Sequence, residues 1–121
     1  MAQVASRILV VDDDDGIRDF IRTFLVDEGY TAATASNGRE ALQVAEQFRP
    51  HLILVDLRMP LMGGIEFVGA YRHQSGATAK IIALSAADDQ ISRQARRIVD
   101  DVLAKPFDLA DLLDTVARNL R

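Results

Sequence analysis

Four successive aspartates, Asp12 to Asp15, follow an apolar run that ends at Val11. A second apolar run, Leu52 to Val55, delivers Asp56. A third, Ile81 to Leu84, delivers Ser85, and a fourth, Val102 to Ala104, delivers Lys105 and Pro106. Carboxylates gathered at one place repel one another, so either one takes a proton or a cation sits among them. A hard octahedral ion, Mg²⁺ (or Mn²⁺), suits Asp12, Asp13 and Asp56: it takes a few carboxylate or carbonyl oxygens, keeps some of its waters and accepts a phosphoryl oxygen. Asp56 stands alone at its strand end and is free to act as a nucleophile, and a carboxylate that attacks phosphorus forms an acyl phosphate. The Lys105 ammonium would hold another oxygen of the transferring group. The Ser85 hydroxyl can donate to a phosphoryl group once one is present.

Each of these residues has a plainer explanation taken singly. Aspartates after strands often cap helices, a lone aspartate before a loop is often a turn residue, and a lysine before proline can be a solvated loop amine. Their joint occurrence at four strand ends is what points to chemistry.

The elements that must position them are legible in the apolar spacing. Apolar runs alternate with helical patterns, the mark of successive βαβ units. Helix one carries Ile17, Phe20, Ile21, Phe24 and Leu25 at helical spacing. Asp14 is its expected N-cap and Gly29 its end. A short strand over Thr31 to Ala35 leads through Asn37-Gly38 into a second helix with Ala41, Ala45 and Phe48 on one side, stopped before Pro50. The third helix starts near Ile65 and uses Phe67, Val68 and Tyr71. A fourth is expected with Ile91, Ala95, Ile98 and Val99 inward and Arg93, Arg96 and Arg97 elsewhere. The fifth uses Leu109, Leu112, Leu113, Val116, Ala117 and Leu120. The pattern is α/β, (βα)5. Right-handed crossovers with helices on both faces make it a doubly wound, five-stranded parallel sheet, and ligands of such sheets bind at the carboxyl ends of the strands.

Composition sets outer limits. The 121 residues suffice for one domain, 1–121, and 49% are apolar, as in a globular chain. There is no cysteine, which excludes disulfides and thiolate metal sites and fits a reducing cytosol. No apolar run approaches the roughly 20 residues of a bilayer span, and Met1 to Ser6 lacks the regions of a signal peptide. A cytoplasmic protein with no membrane partner is the expectation. The net charge of −4, from 14 basic and 18 acidic residues, argues against direct nucleic-acid binding.

The motifs Ile-Leu-Val-Val-Asp-Asp, Leu-Ile-Leu-Val-Asp-Leu-Arg-Met-Pro-Leu-Met-Gly-Gly and Leu-Ala-Lys-Pro-Phe together resemble the receiver domain of two-component response regulators, over Arg7 to Leu120. The resemblance implies a flavodoxin-like sheet of order 2-1-3-4-5 and phosphorylation on Asp56. It implies Asp13 as a direct metal ligand, Asp12 acting through water, and the Arg58 backbone carbonyl completing the protein's share of the metal shell. Lys105 matches the family's lysine and Pro106 a proline that follows a cis bond. Ser85 and Val102 fall at the two switch positions. The phosphoryl donor would be a sensor histidine kinase or a histidine phosphotransfer protein, and the output a downstream protein target or an effector domain. Monomer or weak dimer is the implied state, because the basic helix-five positions that winged-helix regulators use to dimerise are Ala110 and Thr115 here.

The chain departs from the family in three places. Val102 replaces the usual aromatic switch residue and cannot swing between exposed and buried rotamers with a large change in buried area. Ile98-Val99 stands where helix four usually ends in a glycine. Gly63 replaces an acid before Gly64, which predicts a more mobile loop. Other functions fit these residues less well: a flavin carrier of the same architecture would need a phosphate-binding loop after the first strand, where Asp12 to Asp15 would repel a phosphate. A small Mg²⁺-dependent aspartyl-phosphate phosphohydrolase would carry a general acid close after the nucleophile, where this chain has Leu57 and Arg58. A pseudo-receiver binding module would lack the acid pair, the acceptor or the lysine, all of which are present.

Overall fold

The computed structural model describes residues 5–59, 62–86 and 90–121, with side chains at all of these except 86 and 90–92. Pro60, Leu61 and Ala87, the segment before Ala5 and the side chain of Ile91 lie outside the described residues. Five strands alternate with five helices: β1 (Arg7–Val11), α1 (Asp15–Asp27), β2 (Thr31–Ala35), α2 (Gly38–Phe48), β3 (Leu52–Asp56), α3 (Gly64–Tyr71), β4 (Lys80–Ala86), α4 (Gln90–Ala95), β5 (Asp101–Lys105) and α5 (Leu109–Asn119). The sheet is wholly parallel in the order β2-β1-β3-β4-β5, as expected.

The central strands are apolar throughout because helices cover both faces. Side chains alternate across the sheet. β1 sends Ile8 and Val10 to a core shared with Ile21 and Leu25 of α1 and Leu112 and Val116 of α5. It sends Leu9 and Val11 to a second core with Ala41 and Ala45 of α2 and Phe67, Val68 and Tyr71 of α3. A smaller cluster of Leu57, Ala83 and Ala95, flanked by Ile65, Val99 and Val102, lies under α4. The strand carboxyl ends therefore sit on a rigid edge between two cores.

Two expectations about packing fail in part. Ile17 and Phe20 have helical spacing with Ile21 and Leu25 but are 38% and 59% exposed. They line an open groove with Lys105, Pro106 and Phe107 instead. The fourth helix stops at Ala95 instead of continuing to Val99. Its chain ends in tight turns, with the N–H groups of Ile98 and Val99 donating to the Ala95 carbonyl at 2.9 and 3.0 Å. Ile98 is exposed. In place of a glycine cap, the Arg72 guanidinium donates to the Ile98 carbonyl at 3.0 Å and to Asp100 at 3.3 Å. Asp100 also accepts the Ile81 N–H at 2.8 Å, so β4, α3 and the end of α4 are tied at one point.

The start of α5 is fixed by a device absent from the apolar pattern. Asp108 accepts the Asp111 N–H, and the Asp111 carboxylate accepts the Asp108 N–H, which forms a reciprocal capping box.

Candidate functional site

The site is assembled where four strands end. β1 runs into Asp12, β3 ends in Asp56, and β5 ends in Lys105. Ser85 lies on β4 one residue past Leu84, the partner of Asp56. Asp12 is fully buried, and Asp56 and Ser85 are 9% and 5% exposed. Lys105 Nζ donates to Asp56 Oδ2 at 3.1 Å and lies 3.8 Å from Asp12 Oδ2. The other Asp56 oxygen, Oδ1, accepts the Arg58 backbone N–H at 3.0 Å, which folds the following loop back over the carboxylate. The Lys105-Pro106 peptide is cis, as expected.

The aspartate run resolves into distinct environments. Asp12 Oδ1 accepts the Asp14 N–H at 2.9 Å. Asp14 caps α1 by accepting the Ile17 N–H at 3.0 Å. Asp15 pairs with Arg18. Asp13 lies with Asp12 and Asp56 in a group whose carboxylate oxygens are within 4.8 Å of one another.

Two observations show that this group suits a hard divalent cation. Asp12 Oδ2 is buried with no hydrogen-bond partner among the described residues, a costly arrangement for an anionic oxygen. The Asp12 carboxyl is also held above its usual range. Burial is the main cause and the charges of Asp56 and Asp13 add to it, whereas the Asp14 N–H and Lys105 oppose it. A cation among the three carboxylates would satisfy the orphaned oxygen and reverse the effect of the like charges.

Two glycines make the geometry possible. A Cβ on Gly64 would lie 2.6 Å from the Asp56 carbonyl oxygen and 2.7 Å from the Leu57 Cα. Only glycine lets α3 begin this close to the Asp56 backbone. A Cβ on Gly38 would lie 2.7 Å from the Met62 carbonyl oxygen, to which the Gly38 N–H donates at 3.2 Å. Met62 is therefore held against α2, and Gly64 answers a packing demand, whereas a Cβ on Gly63 would meet only ordinary contacts at 3.8 Å and beyond.

At the second switch position, Val102 is partly buried and packs beside Ala83, Leu57 and Ala95. Its small side chain belongs to the cluster under α4. Thr115, one of the two helix-five positions considered for dimer contacts, is buried and donates to the Asp111 carbonyl at 2.8 Å.

Residues 8–117 match the response regulator receiver domain. The chain belongs to this family. It is 42% identical to an uncharacterized 14.6 kDa protein in the sodA1 3' region of Leptolyngbya boryana, over 90% of this chain and 86% of that one. It is 38% identical to the response regulator MprA of Mycolicibacterium vanbaalenii, over 95% of this chain but 50% of the regulator, so it spans about half the length of such relatives. Chemotaxis protein CheY4 of Vibrio cholerae superposes with a TM-score of 0.90 at 37% identity, covering 97% of this chain and all of that one. The receiver domain of sensor histidine kinase PA1611 from Pseudomonas aeruginosa, solved with a magnesium ion coordinated in its active site cleft, superposes at 0.88 and 31% identity, covering 97% and 98%. The chain is thus a phosphoacceptor signalling domain of the two-component type, and receiver domains bind Mg²⁺ at an acidic pocket of the kind seen here. Among the described residues, no helix is long and apolar enough to cross a membrane.

Three features of the domain escape the apolar pattern. Arg18 donates to the Asp12 backbone carbonyl at 2.9 Å as well as to Asp15, and its three-residue spacing from Asp15 is the signal that could have shown it. The tight contacts of Gly64 and Gly38 have no signal beyond the glycines themselves. The Arg72–Asp100 clamp joins residues far apart in sequence and has none.

Proposed function

We propose that Asp56 is the phosphoacceptor, and that Asp12, Asp13, Asp56 and the Arg58 backbone carbonyl hold Mg²⁺ (or Mn²⁺) beside it. The observation that carries this reading is the 3.1 Å bond from Lys105 Nζ to Asp56 Oδ2, next to the orphaned Asp12 Oδ2. One carboxylate is paired with a cation that can follow a phosphoryl oxygen, and the other keeps an oxygen without a hydrogen bond, with Lys105 at 3.8 Å.

In the transfer, an Asp56 oxygen attacks the phosphorus of a phosphohistidine. The P–N bond breaks and its electron pair stays on the imidazole nitrogen. Lys105 is close enough to exchange its bond to the carboxylate for one to the incoming phosphoryl oxygen. The Arg58 N–H keeps Asp56 oriented. A bound divalent cation supplies charge neutralisation for the transferring group. Ser85 donates to the phosphoryl group once it has arrived, which draws β4 toward the site.

The donor is a histidine kinase or a histidine phosphotransfer protein, docked on an open apolar groove of about 450 Å³ lined by Ile17, Phe20, Ile21, Lys105, Pro106 and Phe107. Lys105 belongs both to this groove and to the Asp56 site, so a helix that presents its histidine at the groove's end reaches the acceptor. This occupant accounts for Phe20, which is 59% exposed where helical spacing predicts burial. The output passes to a downstream protein target or an effector domain through the α4–β5–α5 surface. Arg118 is held by Asp101 of its own chain at 2.7 Å, and Thr115 faces inward, which supports a monomer or weak dimer.

Intact-mass measurement after treatment with a small phosphodonor and Mg²⁺ tests the reading. Wild type should gain one phosphoryl group and Asp56→Asn none. A phosphoryl adduct of equal yield on the variant would reject Asp56.

A further inference from the structure

We propose that Arg18 is a positioning residue for the acid pair, holding the peptide between Asp12 and Asp13 in place through its bond to the Asp12 carbonyl. The inference rests on the reading of Asp12, Asp13 and Asp56 as the cation site. One guanidinium makes two contacts with separate nitrogens: Nη1 donates to the Asp12 carbonyl oxygen at 2.9 Å, and Nη2 donates to the Asp15 carboxylate. The Arg18 side chain is 15% exposed although it lies on the first turns of a surface helix, whereas the Asp15 side chain it engages is 85% exposed.

The Asp12 carbonyl belongs to the peptide that links the two acids, so its direction sets where the Asp13 side chain starts. The Asp12 N–H is fixed as well, donating to the Ala35 carbonyl at 3.2 Å. With both backbone groups of Asp12 held, the acid pair is presented by a rigid peptide. The next two acids have partners of their own: Asp14 caps α1 and Asp15 pairs with Arg18.

The sign of the effect separates positioning from charge. A cation beside an acid cluster repels Mg²⁺, so an Arg18 acting only through its charge would weaken metal binding, and its removal would tighten it. Positioning predicts the opposite. Groups that orient metal ligands typically change affinity about 10–100-fold when removed. Lysine keeps the charge but is a single point donor and cannot reproduce the two-pronged contact.

The test is Mn²⁺ titration of the full chain, read from the electron paramagnetic resonance signal of the free ion, for wild type, Arg18→Ala, Arg18→Lys and Asp13→Asn. Thermal melts in chelator report on folding independently. Both Arg18 variants should bind about tenfold more weakly than wild type while melting cooperatively. If Arg18→Ala does not fold, Arg18→Lys decides. An Arg18→Ala that binds more tightly, or an Arg18→Lys that binds like wild type, would overturn the positioning role in favour of charge alone. If Asp13→Asn binds Mn²⁺ as wild type does, the metal-site reading itself fails, and the Arg18 proposal with it.

Discussion

Asp12 should cost the metal-free protein stability, and its removal should reveal how much. The residue is fully buried, and one of its two oxygens has no hydrogen-bond partner among the described residues. Leaving a buried polar group unsatisfied costs about 1–3 kcal/mol, and more for a charge. Asp12→Asn keeps the shape, keeps an acceptor for the Asp14 N–H and removes the buried charge, at the cost of the 3.8 Å ion pair with Lys105. In chelator, the variant should therefore be more stable by about 1 kcal/mol, the lower end of the penalty for a buried unsatisfied group, because the Lys105 pair is lost with it. For a chain of this size each kcal/mol moves Tm by roughly 3–6 °C.

The pH dependence provides a second reading of the same effect. The folded-state pKa of Asp12 is raised above its ordinary value by burial first and by Asp56 and Asp13 next. A raised carboxyl binds a proton more readily in the folded protein than in the unfolded chain. The stabilisation is complete below the ordinary carboxylate pKa and is lost as pH rises through the folded-state value. This part of the pH profile should be present in metal-free wild type and missing from Asp12→Asn. Saturating Mg²⁺ should reverse the order. Ligand at 100 times its Kd stabilises by about 2.7 kcal/mol, and the variant should gain much less. Thermal and urea melts across pH, with chelator and with Mg²⁺, make the measurement. A metal-free Asp12→Asn that is no more stable than wild type, with an unchanged pH profile, would refute the claim that the orphaned carboxylate is strained by its burial.

Gly64→Ala should destabilise the fold by about 1–3 kcal/mol through overpacking, because its Cβ meets the backbone of Asp56 and Leu57; slower phosphorylation should accompany the lower Tm, and a neutral result would show that α3 can move away freely. Asp108→Ala removes the α5 cap and should cost about 1 kcal/mol in urea denaturation. Arg72→Ala should speed amide exchange at the end of α4, because it frees the Ile98 carbonyl and one partner of Asp100; unchanged exchange from Arg97 to Asp100 would mean that the clamp is not what ends the helix. Phe20→Ala should slow phosphotransfer from a histidine donor while leaving phosphorylation by a small phosphodonor intact, and an equal loss with both donors would place Phe20 in the chemistry or the fold rather than in docking.

Much of the fold was legible because the helices bury one stripe and the central strands bury both faces. Ile8 to Val11 and Leu52 to Val55 can be read as core strands without knowing their neighbours, and the polar residues that follow them must then share an edge. The limits of the spacing appear where burial depends on what lies opposite. Ile17 and Phe20 continue the α1 stripe but face an open groove beside Lys105 and Phe107, so the same periodicity that correctly buries Ile21 and Leu25 misplaces them. Spacing alone makes the fourth helix too long for a related reason. Ile98 and Val99 fit its spacing, but the chain must turn to enter β5, and Arg72 fixes that turn from another helix. In the site, residue types revealed which groups converge. They did not reveal how adjacent aspartates divide their work, since that depends on backbone hydrogen bonds and on Arg18.

The most direct test of the account is to locate the phosphoryl group chemically. An acyl phosphate is reduced by borohydride to the alcohol, which turns a phosphorylated aspartate into homoserine. Wild-type protein phosphorylated in the presence of Mg²⁺, reduced and mapped by tandem mass spectrometry should carry homoserine at position 56 alone, and chelator should abolish it. Homoserine at Asp12 or Asp13, or undiminished labelling of Asp56 without a divalent cation, would contradict the assignment of one acid as acceptor and its neighbours as the metal site.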